Sequence, residues 1–124
     1  MAKVLGIGGV FFKTADGDAV RDWYRRVLDF PIADWGGAIF EHPSRGVVVW
    51  SPFAADSDYF DPSNLPFMVN LIVDDLDGVL ARATAEGVEP LGRSDDDAQG
   101  RFAWLLDPAG LKVELWEPGA ASET

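Results

Sequence analysis

No cysteine occurs among the 124 residues, which excludes disulfide staples, thiolate metal sites and cysteine nucleophiles. Histidine is nearly as scarce: the single one, His42, falls in a turn-forming stretch and reads as an ordinary exposed residue. Positive charge is in deficit, with 10 Lys and Arg against 21 Asp and Glu and a formal net charge of −11. That balance repels phosphate backbones and anionic lipid surfaces, so neither a nucleic acid nor a membrane is an expected partner. It favours a cationic ligand over an anionic one, although solubility alone accounts for much acidity. No apolar run approaches the roughly 20 residues that span a bilayer. The opening "MAKVLGIGGVFF" also lacks a signal-peptide core with a cleavage site. A cytoplasmic protein is the expectation.

What is present suits one globular domain over 1–124, with 48% hydrophobic and 25% charged residues. A strand over about 4–13 precedes a helix over about 17–28, where Val20, Trp23, Tyr24, Val27 and Leu28 recur at helical spacing. Asp16 or Asp18 suits the helix N-terminus. Short strands fit about 32–35, 38–41 and 47–51, separated by "GG" and "HPSRG" turns. The second half repeats that order. "LPFMVNLIV" is a strand, and Asp75 or Asp77 opens a helix with Val79, Leu80, Ala83 and Thr84 as its buried stripe. Gly87 stops that helix, and strands follow over about 88–91, 101–106 and 111–116. Asp16 aligns with Asp75, and Trp50 with Trp116. The expected architecture is α+β: module one over about 4–52, a linker loop over 53–66, module two over about 67–117 and a tail over 118–124. Two βαβ-type units, each too small to cover its own sheet, are expected to pack together.

The pieces "GGVFFKTADGDAVRDWYRRVLDFPI", "VNLIVDDLDGVLARATAEGVEP" and "GRFAWLLDPAGLKVELWEP" together resemble the glyoxalase/bleomycin-resistance/extradiol-dioxygenase superfamily, also called the vicinal oxygen chelate fold. The resemblance implies two βαβββ modules whose mixed sheets form a cupped cleft, and commonly a homodimer. In the enzymes of that superfamily a divalent metal sits in the cleft. Carried over position by position, the ligand of the final strand falls on Glu114, while the other expected ligand positions fall on Gly9, Val48 and Met68. Glycine and valine offer no donor, and a methionine thioether suits hard or borderline divalent ions poorly. The expectation is therefore no metal and no cofactor, with a divalent metal on Glu114 as the alternative.

Strand alternation nominates the lining of the cleft. Lys112, Glu114 and Trp116 share one face of the last strand, opposite Leu111, Val113 and Leu115, which should pack on a helix. Phe11, Trp50, Met68, Asn70, Glu114 and Trp116 are the expected ligand-binding residues, joined by Arg101. A four-residue "DPAG" hairpin would put Ala103 opposite Glu114 and Arg101 diagonal to it, within ion-pair reach. Glu114 is then an ion-pair partner, a ligand-recognition group or a metal ligand, and if the protein is an enzyme it is the candidate catalytic residue. Phe53, Tyr59 and Phe60 in the linker either pack on the body or form a lid. Trp23 and Trp104 read as core, and the "SDDD" run at 94–97 as a solvated loop. The leading expectation is a metal-independent binder of a planar or cationic small molecule, as in bleomycin-resistance proteins. The alternatives are a metal-dependent lyase, isomerase or dioxygenase using Glu114, and a non-catalytic dimeric interaction module.

Overall fold

Apolar side chains at i, i+3, i+4 and i+7 build α1, Gly17–Leu28, which buries Val20, Trp23, Tyr24 and Val27 on one face. The structure, a computed structural model, describes residues 2–3, 5 and 7–119, without the side chains of Asp96 and Asp97. Val4 and Gly6 of the expected first strand, and 120–124 of the expected tail, lie outside the described residues. Asp16 is the N-cap of α1, its carboxylate accepting from the Ala19 N–H at 3.0 Å. The second helix, α2, Leu76–Ala85, begins in the same way at Asp75, which accepts from the Gly78 N–H. An aspartate accepting one of the orphan N–H groups of the first turn is the usual solution at a helix start. Of the expected α2 stripe, Leu80 and Ala83 are buried with Leu76, Val79 is half-buried, and Thr84 is exposed.

Four strands form one mixed sheet: β1, Val69–Ile72; β2, Gly92–Asp97; β3, Gly100–Leu106; and β4, Lys112–Pro118. Their order is β1-β4-β3-β2, with β1 parallel to β4 and the remaining pairs antiparallel. With α2 between β1 and β2, the second half is a closed βαβββ unit. Both helices cover one face of the sheet, where Ala103, Leu105, Val113 and Leu115 meet Val20, Tyr24, Val27, Leu76 and Ala83 in a single core. Arg82 of α2 donates to the carbonyls of Arg26 and Arg25, capping the C-terminal turn of α1 from the neighbouring helix.

Several expectations are corrected. The strand expected at 88–91 lies at Gly92–Asp97, so the "SDDD" run is an edge strand and not a loop. Charge on a sheet edge discourages pairing with another chain. The Arg93 beside the run is held by Asp77 at 2.7 Å and Asp95 at 2.8 Å. The last hairpin is one residue longer than expected. Asp107 accepts from the N–H groups of Ala109 and Leu111 inside the turn, so Leu106 pairs with Lys112, Trp104 with Glu114, and Arg101 with Glu117. That single-residue slip turns Arg101 to the helix face, where it bonds Asp77 and Glu117, and it overturns the proposed Arg101–Glu114 ion pair. In the first half, the apolar stretches flanking α1 are extended, but among the described residues their strand pairing is limited to the bridge Ile32–Ala38.

The first half meets the final hairpin at several points. The Tyr24 hydroxyl donates to Asp107 Oδ2 at 2.7 Å in the interior. Burial, followed by this contact with a carboxylate, pushes the Tyr24 phenol far above its ordinary 10.0. Ser63 donates its hydroxyl to the Gly110 carbonyl, and Arg45 Nη2 to the Pro118 carbonyl. Gly46, at φ +84°, allows the turn before 47–51 to lie directly on Ile72, Trp116 and Pro118.

Candidate functional site

Alternation along β4 sends Val113 and Leu115 into the helix-side core and Lys112, Glu114 and Trp116 to the opposite face. The corrected register then matters. Because Asn70 of β1 and Trp104 of β3 are the direct neighbours of Glu114 on either side, their side chains arrive at its carboxylate from both flanks. Asn70 Nδ2 donates to Oε1 at 2.7 Å, and Trp104 Nε1 donates to Oε2 at 2.8 Å. A third donor comes from the linker loop: the Tyr59 hydroxyl bonds Oε2. Glu114 is thus a carboxylate 7% exposed, satisfied by three neutral donors. Hydrogen bonds to a charged acceptor are about twice as strong as neutral ones, which makes such burial tolerable.

Aromatic rings surround this acceptor. Trp104, Phe102 and Trp116 lie in nearly parallel planes on the same sheet face, with Phe102 6.5 Å from Trp104 and 6.1 Å from Trp116. The Tyr59 ring meets Trp104 edge-on at 6.3 Å and stacks on Phe53 at 5.6 Å, while Phe60 packs against Phe53. Lys112 Nζ donates to the Tyr59 carbonyl at 2.6 Å and stands 5.2 Å from the Tyr59 ring centroid and 5.6 Å from that of Trp104. An ammonium over a ring face is held by the ring quadrupole.

The expected site residues therefore separate into groups. Asn70, Glu114 and Trp116 share the sheet face opposite the helices, where Asn70 is exposed, Trp116 is buried under the Gly46 turn, and the expected lid residues Phe53, Tyr59 and Phe60 fold over the Trp104 end. Met68 is half-buried one residue before β1. Phe11 and Trp50 are elsewhere: they line a hollow of about 950 Å³ with Leu65, Phe67 and Leu111, and Trp50 is 78% exposed. The symmetry that paired Trp50 with Trp116 does not bring the two rings into one pocket. Arg101 is on the far face. Trp104, Phe102 and Lys112 were missed as site residues. Lys112 was legible from the alternation that found Glu114, and the other two needed only the hairpin one residue longer.

A divalent cation fits this constellation poorly. Among the described residues no three His, Asp or Glu side chains converge. Two of the groups facing Glu114 present hydrogens: an indole N–H has no lone pair to offer in the ring plane, and the Asn70 amide is turned as a donor. His42 is exposed, just before the 43–46 turn.

Residues 9–116 match the model of the family described as the glyoxalase-like domain. No curated protein matches the chain. Among solved structures, the chain is similar to TnmS3, an antibiotic binding protein from Streptomyces sp. CB03234, at 24% identity and TM-score 0.54, covering 86% of this chain and 89% of that one. A glyoxalase/bleomycin resistance protein from the same Streptomyces is also 24% identical, with TM-score 0.53, over 84% and 93% of the two chains. The integron cassette protein VCH_CASS1 from V. Cholerae is 18% identical, with TM-score 0.53, over 91% and 97%. At these identities the likeness is one of fold.

Proposed function

For a chain that belongs to the glyoxalase-like domain family, we propose the function of a metal-independent small-molecule-binding protein that holds a planar compound against the Glu114 face of its sheet. One observation carries the reading: a buried carboxylate met by three neutral hydrogen-bond donors, beside a run of parallel aromatic rings. Flat apolar surface with a single oriented acceptor binds and orients a ring system, and it lacks the converging donors that activate a substrate through a metal. The planar half of the expected ligand is favoured over the cationic half, because Lys112 already occupies the ring faces of Tyr59 and Trp104 with the protein's own cation. TnmS3, of the same fold, is an antibiotic binding protein, and a planar antibiotic is the corresponding ligand here.

We take the working form to be a homodimer in the cytoplasm. Its support is the exposure of Leu5, Phe11, Val48, Val49 and Trp50 on extended first-half stretches, more apolar surface than a monomer ordinarily leaves open. Light scattering behind a sizing column reads the mass directly, and a monomer at micromolar concentration refutes the dimer. For binding, titration of the protein with a panel of flat heterocycles should quench tryptophan fluorescence saturably, and the absence of saturable quenching across the panel refutes the reading. Elemental analysis of chelator-free protein tests the metal: a stoichiometric ion that disappears in Glu114→Ala would replace this proposal with the metal-dependent one.

A further inference from the structure

The three donors on Glu114 are not equivalent. Asn70 and Trp104 belong to strands whose ladders with β4 hold them beside the carboxylate. Tyr59 belongs to the loop over 53–66, and its hydroxyl reaches Glu114 from 55 residues away in the chain. It can leave without breaking a strand ladder. The residue is 38% exposed, whereas Glu114 beneath it is 7% exposed.

The surroundings of that ring are those of a bound ligand. Its hydroxyl donates to a buried carboxylate, one face stacks on Phe53, its edge meets Trp104, and an ammonium stands over it. We infer that Tyr59 is the resident occupant of a receptor for aromatic hydroxyl compounds, and that an external flat phenol binds by displacing it and donating its own O–H to Glu114. The inference rests on the small-molecule reading above and adds the ligand class and the residue displaced. A site that accepts a buried O–H rejects the analogue that cannot donate, because the carboxylate would lose a donor it needs. An ether of the same ring is therefore a poor ligand.

The test uses 2-naphthol and 2-methoxynaphthalene, which share a ring system and differ in the donor, titrated by calorimetry into the intact chain, Tyr59→Phe and Tyr59→Ala. The indole N–H resonance of Trp104, assigned through Trp104→Phe, reports whether the probe reaches Glu114. The expected result is 2-naphthol bound at least tenfold tighter by Tyr59→Ala than by the parent, with Tyr59→Phe between them. The methoxy compound should be at least tenfold weaker than 2-naphthol in Tyr59→Ala, and only the naphthol should shift the Trp104 resonance. Circular dichroism establishes that Tyr59→Ala is folded, and Tyr59→Phe, which removes one oxygen, carries the test if it is not. Equal affinity for the two compounds, or affinity indifferent to Tyr59, overturns the inference. If panel heterocycles still quench saturably under those outcomes, the binding reading stands and the phenol receptor alone falls.

Discussion

Replacing Tyr24 by Phe removes one oxygen from the junction between α1 and the hairpin that carries Glu114. In the parent that oxygen donates to Asp107 Oδ2, while Asp107 Oδ1 accepts from the Ala109 and Leu111 N–H groups. The ring remains, and its contacts with Trp23 and Phe30 at 5.0 and 4.9 Å remain with it. What is lost is a buried hydrogen bond to a charged acceptor, about 1.5–3 kcal/mol by the usual range, so about 2 kcal/mol is expected at pH 7. Urea unfolding with matched slopes measures it.

The pH dependence makes the prediction sharper. The folded phenol is held far above 10.0, its ordinary value, first by burial and then by Asp107. A raised folded value means that the stabilisation is fully present below pH 10 and is lost above it, because only the unfolded chain gives up the proton there. The loss is about 1.4 kcal/mol for each pH unit beyond 10, so by pH 11 the parent should surrender about 1.4 kcal/mol that Tyr24→Phe does not. The gap between the two proteins should shrink from about 2 to about 0.6 kcal/mol. Lysines and the remaining tyrosine titrate in both proteins and cancel in the difference. A gap that is constant from pH 7 to 11, or below 0.5 kcal/mol throughout, refutes a buried, neutral, Asp107-bonded phenol.

Glu114→Gln keeps an oxygen for Trp104 and Tyr59 and lets the Asn70 amide turn to accept, so it should lose about 1 kcal/mol, against about 2 kcal/mol or more for Glu114→Ala; equal stabilities would mean that the three donors do not converge. Gly46→Ala places a Cβ 2.9 Å from Ile72 Cδ1 at a positive φ, and a cost of about 1–3 kcal/mol in thermal or urea unfolding is expected; a neutral result would detach the 43–46 turn from the sheet. Asp77 is held below its ordinary 3.8, first by Arg93 and then by Arg101. Its contribution is therefore present above that value and fades as the pH falls below it, and Asp77→Asn should unfold with a flatter acid limb. An unchanged acid limb rejects the pairing.

Helices were legible because every signal was local. The spacing of Val20, Trp23, Tyr24 and Val27, and the aspartates at 16 and 75 that cap the first turns, all lie within a few residues of what they specify. The face of β4 was legible for the same reason: Val113 and Leu115 alternate with Glu114 and Trp116 within one strand. Register was not, since it depends on whether Asp107 closes a turn of four residues or five, and an Asp-Pro start serves both. The partners of Glu114 were hidden by distance. Tyr59 and Asn70 reach it from 55 and 44 positions away, and no periodicity encodes such a meeting. The first-half stretches "VFF" and "VVVW" are apolar on both faces, which reads as a strand but says nothing about what covers it.

How Tyr59 leaves is constrained by what stays. Lys112 grips the Tyr59 carbonyl, and Ser63, buried in the same loop, bonds the Gly110 carbonyl of the hairpin, so the loop backbone is held at Tyr59 and again four residues later. Swinging the ring away from Glu114 then requires a change in the Tyr59 side-chain torsion while the loop main chain stays docked. Side-chain rotation in a partly exposed residue is fast, on the ps–ns scale, whereas undocking a loop is slower by orders of magnitude. Entry of a ligand at Glu114 should accordingly be limited by encounter, with an association rate that rises linearly with ligand concentration and shows no plateau. Lys112→Met removes the main-chain grip; if loop release were the slow step, the association rate would level off at a ceiling that this substitution raises, whereas with rotation as the route the rate stays linear in ligand concentration in both proteins.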